Sequence, residues 1–243
     1  MDSLHTPSGP QWALRVRKIT DHLSRDFLGG PRICKFAWVI NFQKTGTFFF
    51  LGLLMILYGQ TATATWIYLA LHGTYGLVWF LKDMAFPDPV WQRRITIGGA
   101  INSFLFVLGP YWLFGWLLIS GTSQANYPLP DDAWFALCIS LCMFGSALMI
   151  AADAQKYFTL RLKKGLIQDG VHTYIRHPNY LGEMMIYASF AMMAWHWLPV
   201  VVLAWIWGGV FAVNMVLKEA SLSRHEGWAA YKRKSWWLIP YLL

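Results

Sequence analysis

AWFALCISLCMFGSALMIAA, Ala133–Ala152, runs for 20 positions without a charged side chain. A helix crossing a hydrocarbon core of roughly 30 Å needs about 20 mostly apolar residues, so this run reads as a membrane span. Five further runs are bounded by charge, Pro or Gly. They are Gly46–Tyr58, reaching back toward Phe36; Ala62–Leu81; Ile95–Ile119, interrupted by Gly109-Pro110; Tyr180–Trp195; and Leu198–Leu217, the last two forming a tight hairpin around His196 and Pro199. Proline inside the third span predicts a kink, because it lacks an N–H and its ring clashes with the preceding turn. Composition agrees: 56% of the 243 residues are hydrophobic and 13% charged, whereas soluble domains have roughly 45–50% and 25%. The expected fold is all-α, a polytopic bundle of about six spans forming one compact membrane domain. No repeat or low-complexity linker argues for a second one. The first 35 residues lack the uninterrupted apolar core of a cleaved signal peptide, which predicts a retained N-terminus.

Lysine and arginine in short loops stay on the cytoplasmic side. All 20 fall before the first span, after the second, after the fourth or after the sixth, and none lies in the other three loops. Both termini are therefore expected in the cytoplasm, and the formal charge of +8 is chiefly a topology signal, with attraction to anionic lipid second. Parcelled among loops, these residues form no single basic stripe, so nucleic acid is not an expected partner. Cys34, Cys138 and Cys142 form no disulfide framework and read as packing residues. Trp12, Val16, Ile19, Leu23 and Phe27 recur at spacings of three and four, which predicts an amphipathic helix in the headgroup layer.

Chemistry concentrates in ADAQKYFTLRLKKGLIQDGVHTYIRHPNYLGE, Ala152–Glu183, where the fourth span gives way to a basic loop and then to the fifth. Pro178 suits a first helical turn. The unpaired N–H groups and positive dipole end there, beside Arg176 and His177, suit a phosphate. Lys156, Arg161, Lys163 and Lys164 add cations on the same side, so the loop describes either a pocket for a polyanionic cofactor or a lipid-touching topology anchor. Glu183 lies one turn into the fifth span, where an ionised carboxylate facing lipid would cost several kcal/mol, so it is expected to face the interior. Asn179, Tyr180 and Tyr187 share its helical face. Asp153 is placed to hydrogen-bond a cofactor or to pair with Lys156. His72 and Tyr75 either line a substrate cavity or form a satisfied core pair. Gln43, Lys44, Lys82 and Asp83 read as ordinary interfacial residues. No metal is called for.

The run GLIQDGVHTYIRHPNYLGE, Gly165–Glu183, resembles the signature of membrane sterol reductases and steroid 5-alpha-reductase-like proteins, and more loosely that of isoprenylcysteine carboxyl methyltransferases. ADAQK, Ala152–Lys156, is similar to the element preceding that signature in the reductases. WAAYKRKSWWLIPYLL, Trp228–Leu243, is similar to the sterol-reductase ending. The resemblance implies a C-terminal region (152–243) that holds NADPH in reductases and S-adenosylmethionine in methyltransferases. Asp153, Lys156, Arg161, Arg176, His177, Asn179, Tyr180 and Tyr231 would then contact the cofactor. Glu183 matches the family's acidic position, and residues 36–151 form the substrate-side helices behind an interfacial segment, 1–35. The second span lacks the steroid-holding glutamate of 5-alpha-reductases, and His72 or Tyr75 stands in for it.

NADPH carries a pyrophosphate and a 2′-phosphate, whereas S-adenosylmethionine is cationic at sulfur, so a pocket rich in Arg and Lys favours the nicotinamide cofactor. The resulting expectation is reduction of a carbon–carbon double bond in a sterol-like lipid, with Tyr180 or Tyr187, assisted by Glu183, as the acid. A lipid or isoprenylcysteine-type methyltransferase is the alternative. The expected location is a bacterial inner membrane or the endoplasmic reticulum, with the site facing the cytoplasm.

Overall fold

The structure, a computed structural model, describes residues 9–123 and 126–242. The first eight residues of the interfacial segment and Leu243 of the tail lie outside the described residues. Among the described residues the chain forms an all-α bundle, apart from one antiparallel pairing of β1 (Cys34–Lys35) with β2 (Arg94–Ile95) and a single parallel bridge between Ile175 and Trp236. A short helix, α1 (Gln11–Asp21), precedes six long helical rods. These are α2 (Phe36–Tyr58), α3 (63–85), α4 (Ile97–Ile119), α5 (Asp131–Leu162), α6 (Pro178–Ala194) and α7 (Trp197–Leu222), and α8 (Trp228–Lys234) follows. Among the described residues α2, α4, α5 and α7 are long and apolar enough to cross a membrane. The other two rods are shorter or more polar because they carry the interior polar residues: Tyr75 and Lys82 on α3, and Tyr180, Glu183 and Tyr187 on α6.

Several boundaries move relative to the sequence expectation. The fourth rod continues ten residues past Ala152 to Leu162, so Lys156 and Arg161 stand on a helix instead of in a loop. Nothing between Asp153 and Leu162 breaks a helix, and hydropathy marks only where lipid ends. At about 1.5 Å per residue, the 32 residues of α5 span about 48 Å, well beyond the hydrocarbon. At Gly109-Pro110 the α-helical pattern gives way to a π segment, Phe104–Leu108, and one 3₁₀ turn, Gly109–Tyr111, as the missing proline N–H requires. Further π segments interrupt α3 at Leu69–Gly73 and α7 at Trp207–Ala212.

The most extensive helix packing is between α5 and α6. A Cβ at Gly182 would stand 2.5 Å from the Gly145 oxygen, and one at Gly145 would stand 2.7 Å from the Gly182 oxygen, so only glycine allows the two backbones to meet. This contact fixes the height of Glu183 against α5. The apolar stripe of α1 faces outward, with Trp12 53% and Ile19 59% exposed, while Ala13 is fully buried.

Candidate active site

Lys44 and Lys82 are not interfacial: each is only 5% exposed. The glycine at position 76 explains how Lys44 enters the core. A Cβ there would fall 1.8 Å from the Lys44 carbonyl, so α3 lies directly against α2 at that level. The Lys44 ammonium donates to the Tyr75 hydroxyl at 2.9 Å and to the Tyr187 hydroxyl at 2.6 Å, and sits 3.8 Å from the centre of the Trp79 ring. An ammonium has donors only, so both phenol oxygens are acceptors and their own hydrogens point elsewhere. The Tyr75 and Tyr187 rings meet edge to face, their centres 5.8 Å apart.

Glu183, one turn before Tyr187, is half-buried and interacts electrostatically with Lys44, Lys82, Asp153 and Lys218. Its carboxylate closes no hydrogen bond or ion pair among the described residues. Asp153 instead pairs with Lys82 at 2.7 Å, so neither Lys156 nor a ligand satisfies it in this structure. The Lys82 ammonium also lies 4.3 Å from the Trp79 ring. Lys156 reaches Asp88 at 3.7 Å, and the Lys218 ammonium caps the Tyr180 ring at 4.5 Å. Asn179 is half-buried, and its amide has no hydrogen-bond partner among the described residues.

Other expected site residues make contacts within the protein. The Arg176 guanidinium binds Glu219 of α7 at 2.8 Å and the Ser235 carbonyl of the tail. His177 shares the same Glu219 oxygen at 3.2 Å. Burial pushes the His177 imidazole below its ordinary pKa, and the Glu219 hydrogen bond offsets part of that. Tyr231 donates to the His172 carbonyl at 2.6 Å, tying α8 to the α5–α6 loop, and burial raises its phenol to about 12. Arg161 is exposed and bonds the Tyr157 hydroxyl at 2.9 Å. His72 is satisfied by Tyr68 at 2.9 Å and stacks on Phe190 at 4.1 Å, inside a packed aromatic layer. Gln155 staples the loop, accepting from Val171 N at 3.1 Å and donating to Asp169 O at 2.9 Å. His172 lies beside Asp153 and Lys156; its Nε2 is buried without a partner, and burial lowers its pKa.

The fold and site define a helical membrane protein that buries a lysine and two tyrosines, with a half-buried carboxylate one turn away, below a cationic end of the bundle. It belongs to the steroid 5-alpha-reductase-like family: residues 30–236 match the family described as "Protein of unknown function (DUF1295)". The chain is similar to steroid 5-alpha-reductase DET2 of Solanum lycopersicum, 30% identical over 111 residues, 44% of this chain and 42% of that protein. It is also similar to an uncharacterized protein of Schizosaccharomyces pombe, 30% identical over 77 residues, 32% of this chain and 27% of the relative. The chain thus matches less than half the length of either curated relative.

Proposed function

We propose that the protein is a membrane-embedded reductase that uses NADPH to saturate a carbon–carbon double bond of a steroid- or sterol-like lipid, with its cofactor side open to the cytoplasm. The observation that carries this reading is the Lys44–Tyr187 hydrogen bond one turn from Glu183. Saturating a double bond takes a hydride at one carbon and a proton at the other, and Tyr187 is a buried phenol whose oxygen is already bonded to an ammonium. Kinship with a protein named as a steroid 5-alpha-reductase favours reduction over methyl transfer.

The residues present fit a nucleotide. This end of the bundle offers, among the described residues, a buried nitrogen without a hydrogen-bond partner at His172 Nε2, an amide at Asn179 and a lysine outside any ion pair at Lys218. Asp153, Lys156, Asn179 and Tyr180 would touch the bound cofactor, which supplies the hydride. Arg176, His177 and Tyr231 would hold the loop in shape by binding Glu219, the tail and the His172 carbonyl. Tyr187 gives its proton to the lipid, and Lys44, already bonded to that oxygen, stabilises the phenolate formed. Glu183 returns a proton toward this pair from the same end of the bundle. Tyr75 orients Tyr187 and, with the aromatic layer holding His72, borders the flat lipid.

Calorimetry on detergent-purified full chain with NADPH, NADH and S-adenosylmethionine tests the cofactor. Micromolar affinity for NADPH is expected. Affinity for S-adenosylmethionine with none for NADPH would overturn the reading in favour of a methyltransferase. Lys44→Met should then lower kcat with little change in KM, because the ammonium is needed when charge develops on Tyr187.

A further inference from the structure

Arg176 and His177, the residues that the sequence marks for phosphate, are committed to Glu219, and Arg176 also to the tail. Three other cations lie at the same end of the bundle, on three separate elements. Lys218 of α7 caps the Tyr180 ring at 4.5 Å, Arg17 of α1 bonds Asn214 one turn before Lys218, and Lys156 of α5 meets Asp88 at 3.7 Å. We propose that Arg17, Lys156 and Lys218 receive a phosphate group of the nucleotide, with α1 as a strap across that end. This rests on the NADPH reading and adds Arg17 and Lys218, which lie outside the resembling motifs, to the Lys156 already assigned to the cofactor.

The strap is held by specific contacts. Arg17 Nη1 donates to Asn214 of α7, and its Nε binds Asp21 at 3.0 Å. Asn214 and Lys218 are four apart, so they lie on one face of α7 and the bond brings the Arg17 guanidinium over Lys218. Ala13 is fully buried, and a Cβ on Gly9 would fall 2.8 Å from Leu217 Cδ2, so α1 lies against the end of α7. The outward stripe of Trp12 and Ile19 would keep the strap in the headgroup layer.

The neighbouring carboxylates leave cationic capacity over. Asp153 is committed to Lys82 at 2.7 Å, and Asp21 binds Arg17 and Arg25. Asp88 meets Lys156 only at 3.7 Å, with both side chains partly in solvent. Glu183 lies deeper, toward Lys44. Lys218 has no carboxylate within ion-pairing distance among the described residues. A phosphate ester, with several anionic oxygens, matches cations arriving from three directions. The family match begins at residue 30, so α1 lies outside the shared segment.

The test is calorimetric affinity of the purified full chain and three variants, Arg17→Gln, Lys218→Gln and Ala13→Trp, for NADPH and NADH. Each charge variant should weaken NADPH about ten-fold or more, as loss of a charge-assisted contact does. Ala13→Trp keeps every charge but lifts α1, so it should weaken NADPH as much as Arg17→Gln. NADH weakened in parallel would assign the pyrophosphate, and NADH unaffected would assign the 2′-phosphate. Saturating NADPH should also slow tryptic cleavage after the exposed Arg15 and Lys18 in the unaltered protein. Tight NADPH binding with no loss in Arg17→Gln or Ala13→Trp, or no protection from trypsin, would sink the strap and leave the reductase reading intact. A protein that binds no NADPH would end both.

Discussion

Gly182→Ala tests whether the α5–α6 contact sets the site. The new methyl would lie 2.5 Å from the Gly145 oxygen, 2.7 Å from Met149 N and 2.8 Å from Met149 Cβ. Ordinary van der Waals contact begins at 3.4 Å, so the helices must part locally by about 0.9 Å. Two of the three obstacles are backbone atoms that no rotamer change can move. Overpacking of this kind costs about 1–3 kcal/mol, and the rigid partner puts the cost near the upper end. Alanine recovers about 1 kcal/mol of helix propensity, so the net loss should be about 2 kcal/mol. Gly208→Ala is the internal control, since no atom lies within 4 Å of its added Cβ and it should be neutral or slightly stabilising. Both can be measured by denaturant-induced unfolding in mixed micelles, and turnover should suffer as well. Glu183 is the next residue and Tyr187 follows one turn on, and a misplacement of about 1 Å can cost on the order of 100-fold in rate. Equal stability of the two variants would refute the idea that Gly182 allows the close approach.

Lys82→Met leaves Asp153 unpaired in a largely buried position and should cost about 3 kcal/mol, whereas Lys82→Met with Asp153→Leu should cost clearly less; a fully additive double variant in the same unfolding measurement would speak against the pair. Arg176→Ala should lower the melting temperature by freeing Glu219 and the tail, with limited proteolysis of residues 228–242 as the check, and an undisturbed tail would contradict the assignment. His172 and His177 are both held below the ordinary 6.5 by burial. The unfolded chain therefore binds their protons more readily, so stability is full above about pH 6.5 and declines as pH falls below it. Melting temperatures measured from pH 8 to pH 5.5 should be flat and then fall, and a rise toward acid would have the wrong sign.

The helical rods were legible because hydropathy marks every stretch that lipid must cover. Their ends were less so: α5 continues through Asp153, Lys156 and Arg161, since helix propensity does not stop where hydrocarbon does. The depth of Glu183 in its span predicts an inward-facing carboxylate, and the structure leaves it half-buried. Lys44 and Lys82 were missed because a lysine near the end of a span usually snorkels to the interface. The clue was the spacing of His72, Tyr75, Trp79 and Lys82, which places four amphipathic side chains on one face of α3. Nothing local announces that Lys44 meets Tyr187, 143 residues away, or that Glu219 claims Arg176 and His177. Those contacts depend on how the rods pack.

The length of α5 has a consequence for how the protein meets bilayers of different thickness. Asp153, Lys156 and the glycine seat of α6 are fixed along one unbroken rod that outreaches the hydrocarbon by about 18 Å. When the surrounding lipid thickens or thins, the waterline shifts along this mast while the spacing between the ion pair above and the tyrosines below stays constant. Mismatch should therefore shift where the bilayer surface meets the rod, while the geometry between the Lys82–Asp153 pair and the Lys44–Tyr187 bond is preserved.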